Sequence, residues 1–190
     1  MHLGQLAATL QGMSHRLFIA MRPDESTIDA MIDTMDGVEN ARWQDETQLH
    51  LTLRYLGNVE TPLANDIADA LGRVTYPAFE LTFRGTGHFE KSHWPNALWA
   101  GIAPSPELSG LQKKVERACV MAGAAPETRK FTPHVTLARL NRSAGPVGPW
   151  LAAHSDFSVP AMRVDHFTLY ESTLSSAGSH YEPVVRFSLA

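Results

Sequence analysis

The sequence has few cysteines, no long apolar run and no net positive charge, and each of these absences argues against a particular class of protein. It contains a single cysteine, Cys119, in 190 residues, which excludes an internal disulfide and a thiolate metal cluster and indicates a buried structural thiol. No apolar run reaches the roughly 18 residues that a transmembrane helix needs, so we expect no membrane association and a cytoplasmic location. The net charge of −4 gives no overall attraction to polyanions, so any contact with nucleic acid requires a local basic cluster.

What is present is typical of a folded globular protein. Hydrophobic residues make up 44% of the chain and charged residues 19%, which argues against long disorder and against a fibrous protein. The length allows one compact unit, and we expect residues 15–190 to form a single domain and a monomer. Residues 1–14 are compatible with a disordered extension or with an upstream translation start, and the sequence does not choose between them.

Alternating and helical hydrophobic patterns divide the chain into short elements. We expect strands at 16–21, 48–55, 79–87, 97–102, 132–137, 162–170 and 181–189. We expect helices at 24–35, 61–71 and 105–121, and a helical turn at 149–153. Residues 89–96 read as a polar connection, and the proline- and glycine-rich residues 143–149 read as a loop. The second half therefore repeats the first in outline, as an α+β protein with two similar lobes would.

One short motif occurs twice on predicted strands. His-Leu-Thr-Leu begins at His50, and His-Val-Thr-Leu begins at His134, 84 positions later (134 − 50). Alternation along a strand places His50 and Thr52 on one face, and His134 and Thr136 on one face. Two lobes related by approximate symmetry would bring these strands side by side.

The residue types in this motif suit displacement at phosphorus. A histidine titrates near neutrality, so one of a facing pair can accept a proton from water while the other donates a proton to a leaving oxygen. The hydroxyls of Thr52 and Thr136 can donate hydrogen bonds to phosphate oxygens and stabilise the charge of the transition state. A cyclic phosphate fits this design, because its ring strain reduces the need for a metal ion as Lewis acid.

The sequence leaves other interpretations of the histidines open. A lone His-x-Thr is common on strands without any catalytic role, and the chain has nine histidines. Five of them show no matching pattern, and we interpret these as surface or packing residues: His88, His93, His154, His166 and His180. A zinc hydrolase is a rival interpretation, but zinc usually takes three protein ligands with tight local spacing, which His50 and His134 lack. We expect no metal and no cofactor.

Five segments together resemble the 2H phosphoesterase superfamily, and within it the RNA 2′,3′-cyclic phosphodiesterases, also called 2′-5′ RNA ligases. In chain order they are residues 16–20 (RLFIA), 50–57 (HLTLRYLG), 98–101 (LWAG), 131–139 (FTPHVTLAR), and 169–172 with 178–183 (LYES and GSHYEP). Their order and spacing also match, from about Arg16 to the C-terminus.

The resemblance implies a fold and an activity. The expected fold is α+β and bilobal, with two pseudo-symmetric lobes that are each an antiparallel sheet backed by helices, and an active-site cleft between them. The implied reaction opens a terminal 2′,3′-cyclic phosphate of RNA to a 2′-phosphomonoester, with His134 as base toward water and His50 as acid toward the 3′ oxygen. The partners would then be RNA ends, and reversible 2′-5′ ligation is a further expectation.

The resemblance and the strand pattern also nominate substrate-binding residues. Arg139 matches an arginine that commonly follows the second motif, but strict alternation from His134 points it away from the cleft unless a β-bulge or strand end intervenes. Arg54 shares the face of the first motif and is either a phosphate contact or a solvated edge residue. Phe18 could stack on a nucleobase, although core packing is the favoured role.

Two further questions are open from the sequence. The basic pair Arg129 and Lys130 precedes the second motif and could meet RNA backbone or be ordinary solvated charge. The function could also be that of an RNA-end or nucleotide-binding module without turnover, or that of a 2H phosphodiesterase that acts on small cyclic nucleotides.

Overall fold

The computed structural model describes residues 13–175 and 178–190. Residues 1–12, which make up most of the N-terminal segment 1–14, lie outside the described residues. Ser14, the last residue of that segment, already begins the first strand. The assignment of residues 15–190 to one domain stays a prediction.

The described residues form ten strands, four α-helices and one 3-10 turn at Glu46–Gln48. The strands are β1 (Ser14–Met21), β2 (Arg42–Trp43), β3 (Leu51–Glu60), β4 (Phe79–Leu81), β5 (Phe83–Lys91), β6 (Trp94–Ile102), β7 (His134–Arg139), β8 (Met162–Val164), β9 (His166–Ser175) and β10 (Gly178–Ser188). The helices are α1 (Glu25–Ile32), α2 (Thr61–Leu71), α3 (Pro106–Met121) and α4 (Gly148–Ala153).

Most of the strands join in one antiparallel sheet. Its order is β10-β9-β1-β3-β7-β6-β5, and β2 also pairs with β7. The motif strands β3 and β7 are neighbours at the middle, and Leu51 pairs with Val135 there. A second small sheet contains β4 and β8. The expected α+β class is confirmed. Strands β10, β9, β1 and β3, which include the first motif, adjoin strands β7, β6 and β5, which include the second motif.

The helices begin where the sequence provides capping residues. The Asp24 side chain accepts a hydrogen bond from the Thr27 amide at 2.9 Å, and Ser105 caps α3 by accepting from the Leu108 amide at 3.0 Å, each satisfying an amide that the first turn leaves unpaired. Pro62 lies in the first turn of α2, where its missing N–H costs nothing. Helices α2 and α3 pack on each other, and both contact β3, so their apolar faces cover one side of the sheet.

Several predicted boundaries were wrong, and two of these errors affect the elements around the motifs. Residues 89–96 are not a polar connection, because β5 and β6 continue as a hairpin whose turn residues Ser92 and His93 have φ of 53° and 63°. Strand β3 does not end at the predicted residue 55 but runs to Glu60. Gly57 has φ of 74° and lies at a register shift against β1, so it marks a bulge within the strand, where glycine has little steric cost.

Cys119 and the helices test two further expectations from the sequence. Cys119 has no exposed surface, and burial raises the pKa of its thiol to about 12, so the interpretation as a buried structural residue is confirmed. Within the two described ranges, no helix is long and apolar enough to cross a membrane.

Candidate active site

The two His-x-Thr motifs lie next to each other on one face of the sheet. Leu51 and Val135 pair across β3 and β7 and are buried, with 1% and 0% of their surfaces exposed. Because neighbouring residues of a strand point to opposite faces, the histidine and threonine on either side of each buried residue point away from the core. They line a cavity of about 800 Å³, which we call the cleft.

Both histidines are held by the same kind of hydrogen bond. Nδ1 of His50 lies 2.5 Å from the carbonyl oxygen of Gln48, and Nδ1 of His134 lies 2.7 Å from the carbonyl oxygen of Thr132. A carbonyl can only accept, so Nδ1 carries the proton in each ring. In the neutral form of each ring, Nε2 is therefore the free acceptor, which is the arrangement that a general base requires.

The surroundings lower the pKa of both histidines. Burial is the main cause for His50, with smaller contributions from the charges of His134, Arg139 and Arg22, and together these lower its pKa from 6.5 to about 4. The pKa of His134 is also lowered, first by burial and then by the charge of Arg139. Both rings are therefore neutral near pH 7, and the negative charge of a bound phosphate would raise both pKa values.

The threonines contribute free hydroxyls to the cleft. Thr52 and Thr136 both line it, and among the described residues neither side chain has a hydrogen-bond partner. A half-buried hydroxyl without a protein partner is available to donate to an oxygen of a ligand. The two hydroxyls and the two Nε2 atoms thus form a polar surface that combines proton transfer with hydrogen-bond donation.

Arg139 reaches the cleft because β7 contains a bulge. Thr136 pairs with Trp99 and Ala138 pairs with Leu98, so Leu137 has no partner on β6. Leu137 and Ala138 are both fully buried. The alternation of buried and cleft-facing side chains is therefore shifted by one residue at Arg139. The structure thus contains the bulge that the sequence required, and Arg139 lines the cleft, where its charge lowers the pKa of both histidines.

Arg54 also borders the cleft, but carboxylates occupy its guanidinium. Its Nε lies 2.7 Å from Glu116 of α3, and a terminal nitrogen lies 3.2 Å from Glu127. The other terminal nitrogen donates to the carbonyl of Ala125 at 2.5 Å. Only 8% of the side chain is exposed, so Arg54 is not a solvated edge residue. It fastens β3 to α3 and to the segment that leads toward the second motif.

Phe18 packs beside the first histidine. Its ring centroid lies 4.8 Å from that of His50, 5.2 Å from Tyr170 and 4.9 Å from Tyr181. Phe18 lines the cleft, but only 3% of the residue is exposed and Tyr170 already stacks on the ring, so little of the ring is open to a nucleobase. The structure favours the core-packing interpretation, in which Phe18 sets the position of the His50 ring.

Both members of the basic pair before the second motif line the cleft, but they differ in their partners. Arg129 pairs with Glu127 at 2.7 Å, and three quarters of its side chain is exposed. This contact also holds the pKa of the Glu127 carboxyl at about 2. Lys130 lines the cleft and has no ion-pair partner among the described residues.

A metal centre would need a third protein ligand near the histidines. Within residues 13–175 and 178–190, no three His, Cys, Asp or Glu side chains are grouped so that they could hold a metal ion.

Relatives of the chain show which family it belongs to. Residues 23–175 match the family model of the 2′-5′ RNA ligase superfamily. The RNA 2′,3′-cyclic phosphodiesterase of Aeropyrum pernix is 31% identical over 157 residues, which span 81% of this chain and 89% of that protein. The protein of the same name from Thermus thermophilus is 32% identical over 185 residues, covering 92% and 90%. This chain belongs to the 2′-5′ RNA ligase superfamily.

Solved structures of similar proteins agree with this membership. Escherichia coli LigT complexed with 3′-AMP superimposes with a TM-score of 0.76 at 26% identity, over 93% of this chain and 99% of that one. The resemblance inferred from the five sequence segments is thereby confirmed, and with it the superfamily's α+β fold.

In this superfamily member, sequence reasoning missed residues that contact the histidines. Tyr181 meets the His50 ring edge-on at 5.0 Å, and Phe89 meets the His134 ring edge-on at 4.7 Å. Tyr181 lies in the closing segment that carried the resemblance, so an aromatic residue there was an available signal. Phe89 lies in the stretch misread as a polar connection. Arg42, on the short strand β2, also lines the cleft, and no sequence pattern identified it.

Proposed function

We propose that this chain hydrolyses the terminal 2′,3′-cyclic phosphate of RNA to a 2′-phosphomonoester, with His50 and His134 as its acid-base pair. The main support is that two histidines, both with a free Nε2, line one cleft from adjacent strands, together with two unpartnered threonine hydroxyls. The relatives named RNA 2′,3′-cyclic phosphodiesterase support the choice of substrate.

The reaction uses only groups of the substrate, water and this chain. One histidine takes a proton from water as the water oxygen attacks phosphorus. The bond between phosphorus and the 3′ oxygen breaks, and the second histidine gives its proton to that oxygen. Thr52, Thr136 and Arg139 hold the non-bridging oxygens, whose negative charge grows in the transition state. The products are a 2′-phosphomonoester and a 3′-hydroxyl.

Two assignments of the roles have separate support. The resemblance implies His134 as the base and His50 as the acid. The electrostatics of the cleft support the reverse, because His50 is more deeply enclosed and has its pKa lowered to about 4, so it loses its proton more readily. A base must be neutral when the substrate arrives, and an acid must be charged. A substrate whose leaving atom needs no proton would separate these two assignments.

The deciding experiment is product analysis with the purified protein. An RNA oligonucleotide that ends in a 2′,3′-cyclic phosphate should be converted to one that ends in a 2′-phosphate, while a 3′-phosphate product would contradict the proposed bond cleavage. Full activity after exhaustive chelation is expected. Loss of activity that zinc restores would instead support the zinc hydrolase interpretation.

The same assay distinguishes hydrolysis of RNA ends from simple binding and from activity on small nucleotides. Tight binding of the cyclic-phosphate end without any product would indicate a binding module. Turnover of small cyclic nucleotides with none of RNA ends would indicate a phosphodiesterase for those nucleotides.

Ligation is the reverse of a related cleavage at the same phosphorus. Because every step is reversible in principle, 2′-5′ ligation is also proposed. It should appear when an RNA with a 2′,3′-cyclic end and one with a 5′-hydroxyl are present at high concentration. A cytoplasmic, monomeric protein remains our expectation.

A further inference from the structure

Two arginines face each other across neighbouring strands at one end of the cleft. Arg42 on β2 lies directly opposite Arg139 on β7. Side chains of directly opposed residues leave the sheet on the same face, with Cβ atoms roughly 5 Å apart. Both arginines line the cleft, and among the described residues neither has a hydrogen-bond or ion-pair partner.

This pair differs from the other arginines of the cleft. Arg54 and Arg129 are bound to Glu127, and Arg16 lies over the ring of Tyr55 at 5.6 Å. Like charges placed directly opposite destabilise a sheet, so the Arg42–Arg139 pair costs stability that no carboxylate of the described residues offsets. An anionic ligand in the cleft would relieve this repulsion.

The two arginines lie beyond the second motif along β7. The charge of Arg139 acts on both histidines, which assigns it to the phosphate that reacts. Arg42 belongs to β2, which pairs with β7 at Ala138 and Arg139, past the point where β3 pairs with β7 at Val135. Along β7, position 139 lies three residues beyond Thr136, roughly 10 Å at the usual rise of a strand. This is a distance over which a further nucleotide can extend.

We propose that Arg42 binds the phosphodiester that joins the terminal nucleotide to the preceding one, so that the site favours oligonucleotide ends over mononucleotide cyclic phosphates. The inference rests on the proposed function. Its chemical basis is that a mononucleoside 2′,3′-cyclic phosphate with a free 5′-hydroxyl carries one negative charge, which Arg139 can neutralise, whereas a dinucleotide carries a second charge for Arg42.

Three substrates test this proposal. The first is adenosine 2′,3′-cyclic phosphate, the second is the adenosine dinucleotide with the same cyclic end, and the third is that dinucleotide with an uncharged methylphosphonate as its internal linkage. kcat/KM is measured for each with the unmodified protein, Arg42→Ala and Arg163→Ala. Arg163 is the matched control, because it is an exposed arginine on β8 that does not line the cleft.

The Arg42→Ala change should lower the preference for the charged dinucleotide over the mononucleotide about tenfold, as expected for one exposed charge-assisted contact. The same change should leave the ratio of kcat/KM for the methylphosphonate dinucleotide to kcat/KM for the mononucleotide unaltered. The slope of log kcat/KM against log salt for the charged dinucleotide should also become shallower by roughly 0.7, the value for one single-strand phosphate contact. Arg163→Ala should change none of these quantities.

The outcomes separate this inference from the function on which it rests. If the unmodified protein hydrolyses these substrates but Arg42→Ala affects all three equally, or affects none, Arg42 does not read the second phosphate and the inference is wrong. If the unmodified protein hydrolyses none of them, the proposed function is wrong and the inference is overturned with it.

Discussion

His50 and His134 are related by the antiparallel register of their strands. Leu51 pairs with Val135, so extending the register by one residue on either side places His50 opposite Thr136 and His134 opposite Thr52. Each histidine thus shares its part of the cleft with the threonine of the other motif. The backbone arrangement is nearly symmetric, and the difference between the two histidines comes from their neighbours.

Removal of either histidine should abolish the reaction and leave the fold intact. We expect His50→Ala and His134→Ala each to reduce cyclic-phosphate hydrolysis by roughly 10² to 10⁴-fold, the usual contribution of a general acid or base. Steady-state kinetics with a cyclic-phosphate oligonucleotide measures the loss, and circular dichroism checks the fold. His166→Ala is the control, because His166 lies outside the cleft. Near-normal turnover by either variant would show that its histidine is not part of the pair.

A change of leaving atom should identify the general acid. The test uses a cyclic substrate with sulfur in place of the 3′ oxygen. Its 3′ sulfur leaves as a thiolate, which needs no proton from the enzyme. The variant that lacks the acid should therefore recover most of its activity on this substrate, whereas the variant that lacks the base should not. From the lower pKa of His50 we expect recovery for His134→Ala. Recovery for His50→Ala would support the assignment that the family resemblance implies.

The pH dependence of kcat/KM should be bell-shaped without added metal. It reports the free protein, in which the base is neutral above a pKa of about 4 for His50 and the acid is charged below a lowered pKa, under 6.5, for His134. Activity should fall below about pH 4, when the base becomes protonated, and fall again as the pH rises through the lowered pKa of His134, when the acid loses its proton. A flat profile from pH 5 to 8 would argue against these residues as the groups that control the rate.

Arg139 should shift this profile. Its positive charge lowers the pKa of both histidines, so Arg139→Gln should move both limbs of the profile to higher pH and also weaken phosphate binding. The matched change Arg163→Gln should move neither limb. Unchanged limbs in Arg139→Gln would mean that the guanidinium does not act on the histidines in solution.

Arg54 should contribute to stability much more than Arg129, although both pair with Glu127. Arg54→Met leaves Glu116 without its cation and leaves Glu127 paired with Arg129 alone, and a loss of about 2 to 3 kcal/mol in the free energy of unfolding is expected. Arg129 is three-quarters exposed, so Arg129→Ala should cost less than about 1 kcal/mol. Urea denaturation at pH 7 measures both losses. Equal losses would show that the Arg54 contacts are no stronger than a surface ion pair.

Local patterns in the sequence were enough to predict the strands that carry the two motifs. Alternation predicted that His50 and Thr52 share a face opposite the buried Leu51, because side-chain direction along a strand depends only on position. The predicted helices at 61–71 and 105–121 begin where expected for an equally local reason, since a first turn needs a cap such as Ser105 and tolerates a proline such as Pro62. The second histidine was found because the motif is repeated, and no long-range contact had to be known.

Tertiary structure alone decided which residues meet in the cleft. The single Leu51–Val135 pair joins positions that are 84 residues apart in the chain (135 − 51), and no local pattern specifies such a pairing. The guanidinium of Arg54 is held by Glu116 and Glu127 from distant elements, so alternation gave its face but not its partners. The sequence by itself determined the chemistry of each strand, whereas packing between strands decided which charges are neutralised and which, as at Arg42, stay available to a ligand.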